Sequence, residues 1–197
     1  EAGLHVSVGG DLWGRFARGM AERRRNRPTA EPAQPLAAPA PDGADAALLA
    51  RVRGHDWYHT IDLGNGLKTA GAFDHGPILD RYNLPARLDG LRVLDVATYD
   101  GFWAFEFERR GAREVLALDL EGPKDLDLPP DERARLTEAD RARRFGAGFA
   151  IAKEALGSRV ERVTCNVYDL SPEKFGTFDV VHSGDVQPGV GRVAGHP

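Results

Sequence analysis

The stretch Arg92 to Leu120 decides the fold: R-V-L-D-V-A-T-Y-D-G-F-W-A-F-E-F-E-R-R-G-A-R-E-V-L-A-L-D-L. An apolar run closes on Asp95 and Val96, and a turn, Ala97-Thr98-Tyr99-Asp100, leads to Gly101. Phe102 to Arg110 has a helical character and stops at Gly111, a residue suited to end a helix. A second apolar run, Glu114 to Leu118, then meets Asp119. This is a strand–turn–helix–strand unit with an acid at the tip of its second strand. Such a unit suits a nucleoside, with the turn against one part of the ligand and the acid on ribose hydroxyls.

The unit repeats. Leu91 to Val96 is nearly all apolar, as a parallel strand covered on both faces should be. Phe145, Phe149, Ala152 and Leu156 fall on one helical face, and Gly157 ends that helix. Val160 to Val167 is expected as a third strand and Phe178 to His182 as a fourth. A charged insert after Leu120 is broken by Pro123 and by Pro129-Pro130. Strands alternating with helices predict an α/β fold, a Rossmann-like and mostly parallel sheet.

Four regions are expected. Residues 1–45 form a basic arm and a linker rich in proline and alanine, expected to be disordered. Asp11 to Arg27 carries six arginines against two acids, which fits either a membrane or RNA anchor or a solvated arm. Pro28 to Asp42 is the linker. Residues 46–90 are N-terminal helices and loops over the ligand site, with a small hairpin across Gly64-Asn65-Gly66 and a helical turn at Ile78 to Asn83. Residues 91–186 are the Rossmann-like domain, and 187–197 an irregular tail.

Composition excludes some roles. The chain has 197 residues, is 42% hydrophobic and 28% charged, and carries a formal net charge of -4. That balance is ordinary for a globular domain and gives no global attraction to DNA or to an anionic membrane. No apolar run approaches the roughly 20 residues of a membrane span. One cysteine, Cys165, excludes an internal disulfide and fits a cytoplasmic setting.

The turn lacks the glycine patterns of dinucleotide and phosphate loops, so a pyrophosphate ligand is disfavoured. Thr98 and Asp100 offer a hydroxyl and a carboxylate, the latter suited to an ammonium or a held water. Ala97 and Gly101 leave room near the backbone. A plain tight turn is the alternative. Asp119 would take the ribose, or else be a turn acid. Asp169, after the third strand, could accept a hydrogen bond from an adenine amine. Three acids at three successive strand ends fit the crevice in which open α/β sheets bind ligands. His55, His59, Asp62, Asp74 and His75 precede the first strand without a compact metal-ligand spacing, so no metal is expected. His59 or His75 could line the entrance or serve as a base, or be an ordinary loop histidine.

At these residues the sequence resembles class I S-adenosylmethionine-dependent methyltransferases, and within them a subgroup labelled tRNA wobble-uridine methyltransferase-like. The stretches that carry the likeness are W-Y-H-T-I-D-L-G-N-G-L-K-T-A-G-A-F-D-H (57–75), V-L-D-V-A-T-Y-D-G-F-W-A-F-E (93–106), L-G-S-R-V-E-R-V (156–163), V-Y-D-L (167–170) and G-T-F-D-V-V (176–181). The resemblance implies S-adenosylmethionine as cofactor, with Asp95, Ala97, Thr98, Asp100 and Gly101 around its methionine end. It implies Asp119 on ribose, Asp169 by adenine, and Ser183 and Gly184 beside the sulfonium. Ala97 stands where such turns usually carry glycine. The implied activity is methyl transfer to an acceptor, small molecule or RNA, that the sequence does not identify; no catalytic base is named. A non-catalytic nucleoside-binding or scaffold protein on the same fold is the alternative, and an NAD-dependent enzyme a third.

After Val186 the pattern stops, and Gln187 to Pro197 has no strand or helix period. The expectation is a truncation or a shifted reading frame, with the fourth strand left as an open sheet edge and the chain poorly stable and inactive.

Overall fold

The computed structural model describes residues 4–7 and 43–183, with side chains from residue 46 onward. The expected basic arm beyond residues 4–7, the linker, Gly184 and the irregular tail lie outside the described residues.

The described strands form one parallel sheet. In chain order they are β1 (Leu4–Ser7), β2 (Arg92–Val96), β3 (Glu114–Asp119), β4 (Glu161–Thr164) and β5 (Val180–Ser183). Their order across the sheet is β1-β5-β2-β3-β4, every pairing parallel. The helices are α1 (Gly43–Gly54), α2 (Phe102–Arg109), α3 (Pro130–Arg135), α4 (Glu138–Ala142), α5 (Ala147–Leu156) and α6 (Pro172–Phe175). The expected Rossmann-like α/β architecture is therefore present. β2, β3 and β4 run outward in one direction, whereas β5 lies on the other side of β2. The order reverses between β2 and β5, and the crevice at their carboxyl ends is where this class of sheet takes ligands.

Strand alternation builds two cores. Val93, Val115 and Ala117 face α1, α2 and α5 and pack with Trp57, Phe107, Phe149 and Ile151. Leu94, Val96, Leu116 and Leu118 face the other way, under Val163, Val167, Phe175 and Phe178. β2 is thus buried on both faces, as its continuous apolar run requires.

Two expectations need correction. The fourth expected strand, β5, is not an open edge: Leu4–Ser7 pairs with it residue for residue, from Leu4 with Val180 to Ser7 with Ser183. A bare strand edge exposes unpaired amides and carbonyls, and an extended segment satisfies them wherever it lies in sequence. Those four residues belong to the region expected to be a disordered arm and form a strand. The third expected strand is shorter than its apolar alternation, ending at Thr164 rather than Val167. The Asn166 side chain accepts the Tyr168 amide and caps a 3-10 turn at Val167–Asp169, which ends the pairing.

The segment between α1 and β2 reaches the turn after β2 through His59, which meets Asp100. The expected hairpin is present: Asp62 bridges Lys68, and Leu63 donates its amide to Leu67. The expected helical turn near Ile78 is a 3-10 turn at Gly76–Tyr82. The charged insert holds two short helices, α3 and α4; the capping box of Thr137 and Asp140 starts the second. Among the described residues no helix is long and apolar enough to cross a membrane.

Candidate functional site

The turn after β2 is built from unusual backbone. Ala97 has φ 61°, Tyr99 φ 50° and Gly101 φ 90°. The left-handed conformation disfavours residues with a Cβ by roughly 1–2 kcal/mol, and such strain concentrates where a ligand is gripped. The surroundings hold the turn in place: the Thr98 amide donates to the Leu118 carbonyl at 3.1 Å, and the Gly101 amide to Thr98 at 2.8 Å. Ala97 occupies a conformation that glycine adopts freely. Ala97→Gly is expected to be stabilising by about 0.5–1 kcal/mol, the strain relieved less the added freedom of the unfolded chain. Urea unfolding reads this directly; a destabilised variant would show that the turn is unstrained.

Asp119 ends β3 beside this turn. Its Oδ1 accepts the Leu120 amide at 2.8 Å, and Oδ2 lies 3.4 Å from the Arg162 guanidinium on β4. The side chain is buried, and burial pushes its carboxyl above the ordinary value, against the opposing pull of Arg162 and of the Leu120 and Tyr99 amides. The amide contribution of Tyr99 joins the turn to the strand tip. Arg162 is itself fixed by the Leu120 carbonyl at 3.0 Å and the Thr164 hydroxyl at 3.1 Å.

Two buried acids pair with histidines far away in sequence. Asp95 Oδ1 lies 2.8 Å from His182 Nδ1, on adjacent strands in direct register. The His182 ring packs against Trp103 and Phe107, so this pair supports the turn from beneath α2. Asp100 turns toward the N-terminal segment: Oδ1 is 2.5 Å from His59 Nδ1, and Oδ2 accepts the His59 amide at 2.8 Å.

The structure therefore brings Asp95, Ala97, Thr98, Asp100, Gly101 and Asp119 into one region. Ser183 joins them, since it ends β5 opposite Val96. Asp169 follows β4 on the far side of β3. It lies exposed in the 3-10 turn beyond β4.

Among the described residues, five buried side-chain polar atoms have no hydrogen-bond partner: His59 Nε2, Asp95 Oδ2, Thr98 Oγ1, Asp119 Oδ2 and Arg162 Nε. They belong to the turn, to β2 below it, to the tip of β3, to Arg162 of β4 that pairs with that tip, and to the histidine clasped on the turn. Unpaired buried polar atoms are scarce in proteins and each destabilises by about 1–3 kcal/mol. Their gathering at one place makes the turn the candidate site. Most are acceptors. Ribose hydroxyls and an ammonium are donors and suit them, whereas a pyrophosphate would meet carboxylates.

His75 adds a titration. Burial, then the neighbouring His59 ring, lowers its pKa to about 4, and its Nδ1 lies 2.8 Å from the Tyr82 hydroxyl. Below pH 6.5 the unfolded chain binds a proton here that the folded chain refuses until about 4. Stability should thus fall as the pH drops through that window. His55, also lowered by burial, acts in the same direction. His75→Gln should flatten the decline by about 1 kcal/mol, allowing for partial solvation of the ring. Urea melts at pH 6.5 and 4.5 measure it; an unchanged slope would remove His75 from the account.

The sequence did not single out His182, Arg162 or the pairing of His59 with Asp100. His182 had a legible signal: it alternates with Val180 toward a buried face, and a polar side chain there needs a partner. No protein-family model and no curated protein matches this chain.

Proposed function

We propose that this chain binds S-adenosylmethionine across the carboxyl ends of β2, β3 and β5 and transfers its methyl group to an acceptor, small molecule or RNA. The observation that carries the reading is the gathering of unpartnered acceptor atoms around a left-handed turn at the reversal of strand order. When bound, the cofactor supplies a methyl group made electrophilic by its sulfonium. The chain's own residues bind and align. Asp119 would accept two ribose hydroxyls, with Arg162 beside the carboxylate at 3.4 Å. Thr98 and the turn backbone face the amino-acid end, and Asp95 and His182 keep the turn rigid from below. Ser183 closes the crevice from the neighbouring strand. Alignment of this kind contributes on the order of 7–11 kcal/mol to bimolecular reactions in favourable cases.

A thermal-shift experiment tests the binding half. S-adenosylhomocysteine at a hundred times its Kd should stabilise the full chain by about 2.7 kcal/mol, raising Tm by roughly 5–10 °C. No shift with S-adenosylhomocysteine, or an equal shift with NAD, counts against the proposal.

A further inference from the structure

His59 is held more firmly than a loop histidine needs to be. Its amide and its Nδ1 are both taken by Asp100, and its carbonyl accepts the Thr69 hydroxyl at 2.7 Å. Gly71 presses on it so closely that a Cβ there would lie 1.9 Å from the His59 carbonyl carbon. The ring stacks on Phe102, the first residue of α2, with centroids 5.1 Å apart, and meets Tyr58 edge-on. All of this fixes the ring, yet Nε2 is buried with nothing bonded to it. A carboxylate only accepts hydrogen bonds, so in the neutral ring the proton sits on Nδ1 and Nε2 is a bare acceptor. A clasp serving only to join two segments would have no use for an orphaned nitrogen. An oriented imidazole with a free Nε2 and a carboxylate behind it is the arrangement of a general base.

We propose that His59 is the proton acceptor of this site, that Asp100 is its positioning residue, and that the methyl acceptor is a hydroxyl compound. This rests on the methyl-transfer reading above. An amine can attack a methyl group through its lone pair and lose its proton afterwards. A thiol ionises without much help, with a pKa near about 8.5, whereas even a phenol stays protonated up to about 10. A hydroxyl is thus the acceptor for which a fixed base matters. The acceptor oxygen forms its bond to the methyl carbon while the carbon–sulfur bond breaks and leaves its electron pair on sulfur. The hydroxyl proton passes to His59 Nε2 and later to water. The products are a methyl ether and S-adenosylhomocysteine. The neighbouring His75 ring, 5.3 Å away, has no such carboxylate bonded to its Nδ1, which faces the Tyr82 hydroxyl instead.

The test needs no acceptor. Sinefungin carries an amine-bearing carbon in place of the methylated sulfur, so it puts a donor where the methyl group would be. A base serving the attacking atom lies within reach of that amine, directly or through one water. In the 15N-labelled full chain, the His59 Nε2 resonance should differ by several ppm between the sinefungin and S-adenosylhomocysteine complexes. Sinefungin should also bind about tenfold tighter, the gain of one charged hydrogen bond. His59→Leu should bring the two affinities within threefold of each other. Asp100→Asn should shift the Nδ1 and Nε2 signals toward the other tautomer. If both ligands bind and leave the same Nε2 signal in the unaltered chain, His59 is not the base. If neither binds, the methyl-transfer reading fails first and this inference falls with it.

Discussion

Asp119→Ala is expected to weaken S-adenosylhomocysteine binding by roughly 100- to 1000-fold. The carboxylate lies at the tip of β3, buried, with Oδ2 3.4 Å from the Arg162 guanidinium and the Tyr99 amide of the turn close by. A hydrogen bond to a charged group contributes about 1.5–3 kcal/mol, and two ribose hydroxyls would make two of them. Their loss is on the order of 3–4 kcal/mol, or two to three powers of ten in Kd. The fold should survive the change. Burial makes this carboxylate unfavourable in the folded state, and Arg162 keeps the Leu120 carbonyl and the Thr164 hydroxyl as partners. A titration of the variant giving a Kd within threefold of the unaltered chain would place the ribose elsewhere.

Gly101→Ala should produce a large loss of stability from a single added methyl group in the turn. Gly101 has φ 90°, and a Cβ would stand 2.5 Å from the Phe105 ring and 2.7 Å from the Phe149 ring. Those rings are stacked on each other at 5.1 Å between α2 and α5, so neither can move alone. The backbone conformation adds about 1–2 kcal/mol of strain and the overpacking about 1–3 kcal/mol. A total near 3–4 kcal/mol would lower Tm on the order of 10 °C. Loss of stability below 1 kcal/mol would mean that the turn relaxes freely, contrary to the rigid support described for it.

The core of the fold was legible because local chemistry and tertiary placement agree there. The run before Asp95 is apolar at every buried position, Gly111 ends α2, and the second strand closes on Asp119 as its pattern requires. The helical face of Phe149 and Ala152 was legible for the same reason, since both are buried on α5. The cap at Asn166 was harder to see, because one side-chain hydrogen bond overrode the alternation of Val163, Cys165 and Val167. Leu4–Ser7 was not legible at all. Four residues carry little pattern, and their partner strand lies at the far end of the described chain.

At the site, the turn and Asp119 could be named from spacing, but their partners could not. Asp95 meets His182 across 87 residues and Asp100 meets His59 across 41. Only the sheet register and the fold of the N-terminal segment bring those pairs together. The resemblance implies Asp95 and Asp100 around the methionine end of the ligand. One oxygen of Asp95 and both oxygens of Asp100 meet histidines, so these acids also brace the turn.

The most direct measurement of the central claim is a calorimetric titration of the full chain with S-adenosylhomocysteine and, separately, with NAD. The account predicts saturable micromolar binding of S-adenosylhomocysteine and none of NAD at the same concentrations, because most of the open atoms around the turn are acceptors suited to hydroxyls and an ammonium. Tight binding of NAD with no heat from S-adenosylhomocysteine would contradict it.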